Sequence, residues 1–211
     1  MTKNAPLPAL HPNQLKIGVL ALQGSFQEHL EVLENIGTET VEIRLPKQLL
    51  DIDGLIIPGG ESTTIGKLLV DFKLLEPLKK FGKKKAIWGT CAGAILLSKD
   101  AQKTQPLLEL MNITVDRNAF GRQISSFETT LDIPALDLIS PGSTKFPGIF
   151  IRAPLIDSIN GEAQSLSTLP DGRIVAAQEN HLLATAFHPE LTDDDRIHRY
   201  FLHQIQQSIK N

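Results

Sequence analysis

Short apolar runs that alternate with longer amphipathic stretches constrain the fold of this chain more than any other feature. Each run is short enough for a strand, and each stretch between runs is long enough for a crossover helix. The first runs are KIGVLAL (16–22), TVEIRL (40–45), GLIIP (54–58) and KKKAIWG (83–89). Since we expect a helix after each strand, the sequence predicts an open, mostly parallel α/β sheet with helices on both faces.

Several helix boundaries can be placed from local spacing. Apolar side chains at helical spacing predict a helix from Ser25 to Ile36, which Gly37 ends. The segment AILLSKD (94–100) is predicted to continue as a helix after the fourth strand. A terminal helix is expected from about Asp193 to Ser208, with Thr192 as its cap. Its apolar stripe consists of Ile197, Phe201 and Ile205.

Beyond Met111 the pattern changes to alternating β-like runs, which predict a mixed or antiparallel extension of the sheet. These runs are FETTLDI (127–133), GIFIRAP (148–154), AQSLSTL (163–169), RIVAAQ (173–178) and LLATAF (182–187). A loop rich in proline and glycine is expected between Pro134 and Gly148. We expect residues 1–15 to form a flexible N-terminal extension and residues 16–211 a single domain, because the sequence contains no internal repeat.

The composition excludes several classes of function. The 211 residues include 41% hydrophobic and 21% charged residues, with a formal net charge of −3. This balance describes a soluble globular protein and supplies no basic surface for nucleic acid or an anionic membrane. No window approaches the roughly 18 consecutive apolar residues of a membrane span. The single cysteine excludes an intrachain disulfide and fits a reducing compartment, so we expect the protein in the cytoplasm.

That cysteine, Cys91, lies in the pattern Gly89-Thr90-Cys91-Ala92-Gly93, at the predicted turn from the fourth strand into a helix. Two glycines at this spacing are typical of a nucleophile elbow, in which a strained turn exposes the central side chain above the sheet. The positive end of the following helix favours a thiolate, and the Ala92 N–H would face a developing oxyanion. Free cysteine is also among the most buried residue types, and the pattern alone does not separate a nucleophile from a core residue.

A base for such a nucleophile is available on another strand. Among six histidines, His188 ends the apolar run LLATAF, and Glu190 two residues later offers an orienting carboxylate. Most of the other histidines have ordinary structural explanations. His11 lies in the extension, and the polar faces of the terminal helix easily accept His198 and His203.

A third motif, PGGEST (58–63), follows the third strand. Its two glycines let the backbone approach a ligand closely, although a tight turn capped by Ser62 also explains them. Three motifs on separate strands therefore converge on the carboxyl edge of the sheet, which is where open parallel sheets bind ligands. This convergence favours Cys91 as a nucleophile.

Together these residues resemble the class I, triad-type glutamine amidotransferases, which have a flavodoxin-like sheet, and within them the glutaminase subunits of pyridoxal 5′-phosphate synthase. The resemblance rests on five motifs in the order that this family shows. They are LALQGSFQEH (20–29), PGGESTT (58–64), DRNAFGRQ (116–123), FIRAP (150–154) and FHPEL (187–191). Residues 1–15 and the loop 134–148 look longer than the family pattern requires.

The resemblance implies that the chain hydrolyses L-glutamine to glutamate and ammonia and passes the ammonia to a separate synthase (lyase) subunit in a hetero-oligomer. That subunit makes pyridoxal 5′-phosphate from a pentose phosphate and a triose phosphate, so this chain is expected to bind no cofactor and no metal. The implied catalytic residues are Cys91 as nucleophile, His188 as base and acid, and Glu190 as the orienting carboxylate. Gly60 and Ala92 are implied for the oxyanion hole. The residues implied in glutamine binding are Gly60, Glu61, Ser62, Arg117, Ile151, Arg152 and Gln23.

Three other functions stay open at this point. The chain could be the glutaminase of another synthase, for example in histidine or nucleotide synthesis. It could instead be a stand-alone cysteine hydrolase of the same superfamily, or a non-catalytic binding module with a buried cysteine. Because ammonia released into neutral water protonates and loses its nucleophilicity, a partner is expected. We predict low activity alone and activation by the synthase through the loop at Gly59 and Gly60.

Overall fold

The structure of the protein, a computed structural model, describes residues 14–102, 104–117 and 126–210. Most of the predicted extension 1–15 and most of the motif DRNAFGRQ lie outside the described residues. Leu15, which the sequence assigns to the extension, is buried in the core. No helix in the described ranges is long and apolar enough to cross a membrane.

The strands of the described chain form one large sheet and one small one. They are β1 (Lys16–Leu20), β2 (Glu39–Ile43), β3 (Gly54–Ile57), β4 (Ala86–Thr90), β5 (Ser98–Asp100), β6 (Met111–Asp116), β7 (Ser126–Asp132), β8 (Lys145–Ile151), β9 (Leu155–Ile159), β10 (Gln164–Thr168), β11 (Ile174–Glu179) and β12 (Leu182–Thr185). The large sheet has the order β2-β1-β3-β4-β12-β11-β9-β6-β5, with β10 also paired to β11. Its strands are parallel from β2 to β12, and β11, β10, β9 and β6 join in antiparallel pairs. This arrangement confirms the predicted parallel sheet with an antiparallel extension.

Helices cover both faces of the large sheet, as predicted. They are α1 (Phe26–Ile36), α2 (Ser62–Asp71), α3 (Leu75–Gly82), α4 (Ala92–Leu97) and α5 (Arg196–Lys210). One hydrophobic cluster contains Leu30 of α1 and Phe201 of α5, and the other contains Leu69 of α2. Because successive strand residues point to opposite faces, Ile56 of β3 belongs to the first cluster and Ile57 to the second.

Two helix predictions are wrong. Segment 94–100 is not one helix, because α4 ends at Leu97 and β5 follows directly. There the Ser98 hydroxyl donates to the Ile95 carbonyl oxygen (2.7 Å), which closes the last turn. The helix expected after β2 is replaced by a short 3-10 helix at Pro46–Leu49, which proline begins because its fixed φ suits a first helical turn.

The second half of the chain contains more regular structure than the sequence predicted. Strands β6 and β9 were not predicted, and they pair with each other inside the sheet. The loop expected over 134–148 contains a 3-10 helix at Pro134–Leu138 and the first residues of β8. Residues of β6 and β8 alternate between buried positions and partly or fully exposed ones, as expected for strands with one face in the core.

The ends of two helices show how closely local signals predict boundaries. Gly37 ends α1 in the left-handed conformation (φ 88°), as predicted. Helix α5 begins later than expected, because the Thr192 hydroxyl accepts the Asp194 N–H (3.2 Å) in a turn that precedes the helix. Its predicted apolar stripe is fully buried: Ile197, Phe201 and Ile205.

Candidate active site

Cys91 lies in a strained turn between β4 and α4. Its backbone has φ 48° and ψ −103°, a conformation that costs a non-glycine residue about 1–3 kcal/mol. The turn is held on both sides, because the Cys91 N–H donates to the Thr185 carbonyl oxygen (2.8 Å) and the Cys91 carbonyl accepts the Ala94 N–H (3.1 Å). Cys91 is buried, as a core cysteine would be, but a core residue has no need of this backbone conformation.

Gly89 and Gly93, which flank the elbow, have no room for a side chain. A Cβ atom on Gly89 would lie 2.4 Å from the Gly93 carbonyl carbon, and one on Gly93 would lie 2.1 Å from the Ile57 carbonyl oxygen. Both obstacles are backbone atoms, which cannot move aside as a flexible side chain can. The sequence pattern therefore reflects close packing of β4, β3 and α4 around the cysteine.

His188 connects Cys91 to a carboxylate. Its Nδ1 lies 2.7 Å from Glu190 Oε1, and its side chain also hydrogen-bonds Cys91. Burial acts to lower the pKa of His188, but the hydrogen bonds to Cys91 and Glu190 and their negative charges raise it to about 10. The His188 ring is therefore able to carry a proton beside the sulfur at neutral pH.

Glu190 is the buried end of this chain of contacts. Its Oε1 also accepts the Ser25 hydroxyl at 2.6 Å. Burial acts to raise the pKa of Glu190, but the neighbouring His29, the hydrogen bond from His188 and that from Ser25 lower it to about 2. Ser25 is the N-cap residue of α1, yet its hydroxyl makes no cap hydrogen bond and serves the carboxylate instead.

Two further histidines lie behind Glu190, and the sequence did not indicate them. His29 and His198 are fully buried, and their Nδ1 and Nε2 atoms lie 3.0 Å apart. The prediction that His198 and His203 occupy polar faces of the terminal helix is wrong, because both are buried. Since His198 stands three and seven residues before Phe201 and Ile205 on α5, helical spacing could have placed it on the apolar stripe.

The loop at Gly59 and Gly60 lies directly against the histidine of the site. A Cβ atom on Gly59 would lie 2.4 Å from His188 Cε1 and 3.4 Å from Cys91 Cβ. The Gly59 carbonyl oxygen accepts the Ser25 N–H (3.0 Å), and Gln23 Oε1 accepts the Glu61 N–H (2.8 Å). The loop is thus fastened to the segment after β1, and Gln23 contacts it through the Glu61 N–H.

Glu61, Ser62 and Arg117 come together at the start of α2, immediately after this loop. Glu61 caps α2 by accepting the N–H groups of Thr63 (3.2 Å) and Thr64 (2.7 Å), so the prediction that Ser62 caps the helix is wrong. Burial acts to raise the pKa of Glu61, but its bonds to Thr64 and Thr63 lower it to about 2.

Arg117 reaches the same helix start from the turn after β6. Its guanidinium donates to Glu61 Oε1 (2.9 Å), Thr63 Oγ1 (3.0 Å) and Gln105 Oε1 (2.9 Å). Gln105 also accepts the Ser62 hydroxyl (3.2 Å), and no sequence signal pointed to it. Arg117 therefore anchors the helix start, whatever further ligand its fork accepts.

Ile151 and Arg152 lie at the end of β8 and are exposed. This strand passes beside the site, because the His188 N–H donates to the Ile149 carbonyl oxygen (2.8 Å). Arg152 has a left-handed backbone (φ 45°), which is uncommon for a side-chain-bearing residue. Both residues follow Ile149 by two and three positions, so they lie near His188 along the strand but outside the hydrogen-bonded centre of the site.

The arrangement suits nucleophilic chemistry at sulfur. A strained cysteine at the start of a helix, with a histidine and a buried carboxylate in line beside it, is an arrangement that can support nucleophilic catalysis. In the portions of the chain that the structure describes, no cluster of three or more His, Cys, Asp or Glu residues could hold a metal ion.

Comparison with known proteins gives one consistent family. The sequence profile of the SNO glutamine amidotransferase family matches residues 19–207. Pyridoxal 5′-phosphate synthase subunit PdxT of Chloroflexus aurantiacus is 52% identical over 193 residues, which cover 89% of this chain and 99% of the relative. The protein of the same name from Herpetosiphon aurantiacus is 54% identical with the same coverage.

Solved structures agree with the fold described above. A crystal structure of a glutamine amidotransferase superposes with a TM-score of 0.83 at 42% identity and covers 90% of this chain and 98% of its own. The structure of PurLQS from Thermotoga maritima superposes with a TM-score of 0.64 at 19% identity, covering 93% of this chain and 98% of its own. The second likeness concerns the fold alone.

Proposed function

The chain belongs to the SNO glutamine amidotransferase family, and on that premise we propose that it hydrolyses L-glutamine through Cys91, His188 and Glu190. Its function is that of the glutaminase subunit of pyridoxal 5′-phosphate synthase, since relatives of that name are more than half identical to it over nearly their whole length. The observation that carries the catalytic assignment is the strained backbone of Cys91 beside His188, whose ring hydrogen-bonds both Cys91 and the buried Glu190 carboxylate.

The reaction follows from the protonation of this pair. With the proton on His188, the Cys91 sulfur attacks the amide carbon of glutamine and forms a tetrahedral intermediate. His188 then gives its proton to the departing nitrogen, so that ammonia leaves and a thioester to Cys91 remains. A water molecule attacks the thioester, His188 takes its proton, and glutamate is released with the thiolate restored.

The negative oxygen of the tetrahedral intermediate needs hydrogen-bond donors. Ala92 is the first residue of α4, and first-turn N–H groups have no acceptor within the helix. The Gly60 N–H is the second donor that we propose, because the adjoining Gly59 packs against both His188 and Cys91. Together they would stabilise the oxyanion by a few kcal/mol.

Glutamine itself must be held by its amino acid end. We propose that Gln23, Gly60, Glu61 and Ser62 form one side of its site, because these residues lie together after β1 and β3. Arg117 belongs to the same group through Glu61. Ile151 and Arg152, at the end of the strand beside His188, are proposed for the opposite rim.

The chemistry of the product, ammonia, indicates what kind of partner the chain needs. Ammonia is nucleophilic only while it is unprotonated, so we propose that a synthase subunit docks over the site and receives it directly. The chain needs no cofactor of its own for this chemistry, and the reduced thiol fits the cytoplasm. We also propose that docking activates the enzyme by rearranging the Gly59–Gly60 loop, which is fastened to Ser25 in this structure.

The function is tested by measuring glutamate release from glutamine by the full chain, with and without the synthase subunit. We expect release that rises when the subunit is added, and pyridoxal 5′-phosphate formation when the sugar phosphates are present. Substituting Cys91→Ala should abolish release without unfolding the chain, because the side chain removed is small. Glutamate release without any response to the synthase would contradict the proposed partner, and an active C91A variant would contradict the nucleophile.

A further inference from the structure

The contacts of the candidate site continue past Glu190 into the core, and the proposed reaction leaves this part without a role. His29 Nε2 lies 3.4 Å from Glu190 Oε2 and 3.3 Å from Thr90 Oγ1. His29 Nδ1 in turn lies 3.0 Å from His198 Nε2. We propose that His29, oriented by His198, is a positioning residue that holds the second carboxylate oxygen of Glu190. The inference rests on the proposed role of Glu190.

The hydrogen-bond partners of His29 and His198 determine which ring nitrogen carries the proton in each. Glu190 Oε2 is buried without a hydrogen-bond partner among the described residues, and His29 Nε2 is the polar atom that faces it, at 3.4 Å. If the His29 proton were on Nδ1, the lone pair of Nε2 would face the carboxylate, and His198 would have to carry a buried N–H on Nδ1, which has no acceptor there. With His198 protonated on Nε2 instead, His198 donates to His29 Nδ1, and the His29 Nε2–H faces Glu190 and Thr90.

The surroundings keep His29 a neutral donor. Burial lowers the pKa of His29 against the opposing charges of Glu190 and Glu28, and the charge of His188 lowers it further. Burial and the neighbouring His29 likewise lower the pKa of His198 well below its ordinary value. Trp88 packs edge-on against both rings, so their orientations are fixed by the core. A neutral imidazole with a defined tautomer offers one N–H in one direction.

This geometry gives Glu190 support on both oxygens. Ser25 and His188 occupy Oε1, and His29 faces Oε2, so the carboxylate cannot rotate without losing a donor. His29 also contacts Thr90, the residue directly before the nucleophile. The same imidazole therefore contacts the carboxylate and the strand end that positions Cys91.

The test compares His29→Leu, which removes the donor, with His29→Gln, which keeps a side-chain N–H at similar reach. The first measurement is the pH dependence of Cys91 alkylation by iodoacetamide in the full chain. The second is kcat and KM for glutamine in the complex with the synthase subunit. We expect H29L to lower kcat about tenfold with KM within about twofold. Its acidic alkylation limb should move up by about one pH unit, since Glu190 with no polar group facing Oε2 is protonated more easily. H29Q should restore most of the kcat and return the acidic alkylation limb most of the way to its original pH.

His181→Leu is the matched control, because His181 is another partly buried histidine whose ring bonds a backbone carbonyl, that of Gly82, at 2.8 Å. If His29 had a purely structural role, both His29 variants would have a lower melting temperature. The pH midpoint of their acidic alkylation limb would then equal that of H181L. That result would overturn the proposal. The alkylation limb reports on His29 even if no variant, nor the unaltered chain, releases glutamate. Failure of the proposed function is thus distinguishable from failure of this inference.

Discussion

Two histidines flank the same buried carboxylate, and they have opposite acid–base character. His188, which also bonds Cys91, has its pKa raised to about 10, whereas burial lowers the pKa of His29 on the other side of Glu190. His188 hydrogen-bonds both Cys91 and Glu190 at the edge of the sheet, whereas His29 faces Glu190 inside the core with His198 beside it. Proximity to a carboxylate therefore does not by itself raise the pKa of a histidine, because the hydrogen bonds and charges around the ring have to outweigh desolvation.

The largest expected effect on activity follows from substituting His188, the histidine whose pKa is raised. Substituting His188→Asn removes the base and acid of the reaction, and we expect glutamate release by the complex to fall about a thousandfold. His181→Asn serves as the control, since that ring bonds only a distant backbone carbonyl among the contacts described. If H188N retains a tenth or more of the activity, the two flanking histidines do not differ in the way their pKa values indicate.

A smaller loss is expected when the shared carboxylate is neutralised. Glu190→Gln keeps the size of the side chain but removes the charge that supports the His188 proton, so the pKa of His188 should fall. We expect about a hundredfold loss of glutamate release and slower Cys91 alkylation at neutral pH. Glu42→Gln, on the exposed strand β2, is the matched control. Unchanged alkylation in E190Q would show that Cys91 alone raises the pKa of His188.

The free energy of unfolding should depend on pH through the shifted pKa values of Glu190 and His188. The pKa of Glu190 is about 2 in the fold against an ordinary 4.5, so its contribution is complete above pH 4.5 and is lost as the pH falls toward 2. The pKa of His188 is raised from 6.5 to about 10, so its contribution is complete below pH 6.5 and is lost as the pH rises toward 10. Urea titrations across both ranges should show both losses, and E190Q should lack the acid one.

The smallest effect is expected at the hydroxyl that supports Oε1. Ser25→Ala removes one of two donors to that oxygen and should lower glutamate release only severalfold, with about 1 kcal/mol of unfolding free energy lost. Ser208→Ala, which removes a hydroxyl bond near the end of α5, controls for the loss of a hydroxyl elsewhere. A loss in S25A as large as that in E190Q would mean that Ser25 does more than support the carboxylate.

Much of the fold was predictable because its first half is locally determined. The strands β1, β3 and β4 are continuous apolar runs, and Gly37 ends α1 through its left-handed backbone. Strand β6 was missed although its residues Met111–Asp116 alternate between apolar and polar side chains, whereas β9 (Leu155–Ile159) lacks a strict alternation and is defined by its pairing with β6. The start of α5 was misplaced because Thr192 stabilises a turn in place of the first helical residues.

The sequence by itself determined the elbow at Cys91, because Gly89 and Gly93 are the only residue type that its close backbone contacts admit. It also placed His188 and Glu190 in one short segment after a strand. Only the tertiary structure decided which groups surround Glu190. Ser25 and His29 are far from Glu190 along the chain. Helical spacing can place His198 on the apolar stripe of α5, but only the packing of α1 against the site brings that ring to His29 and Glu190.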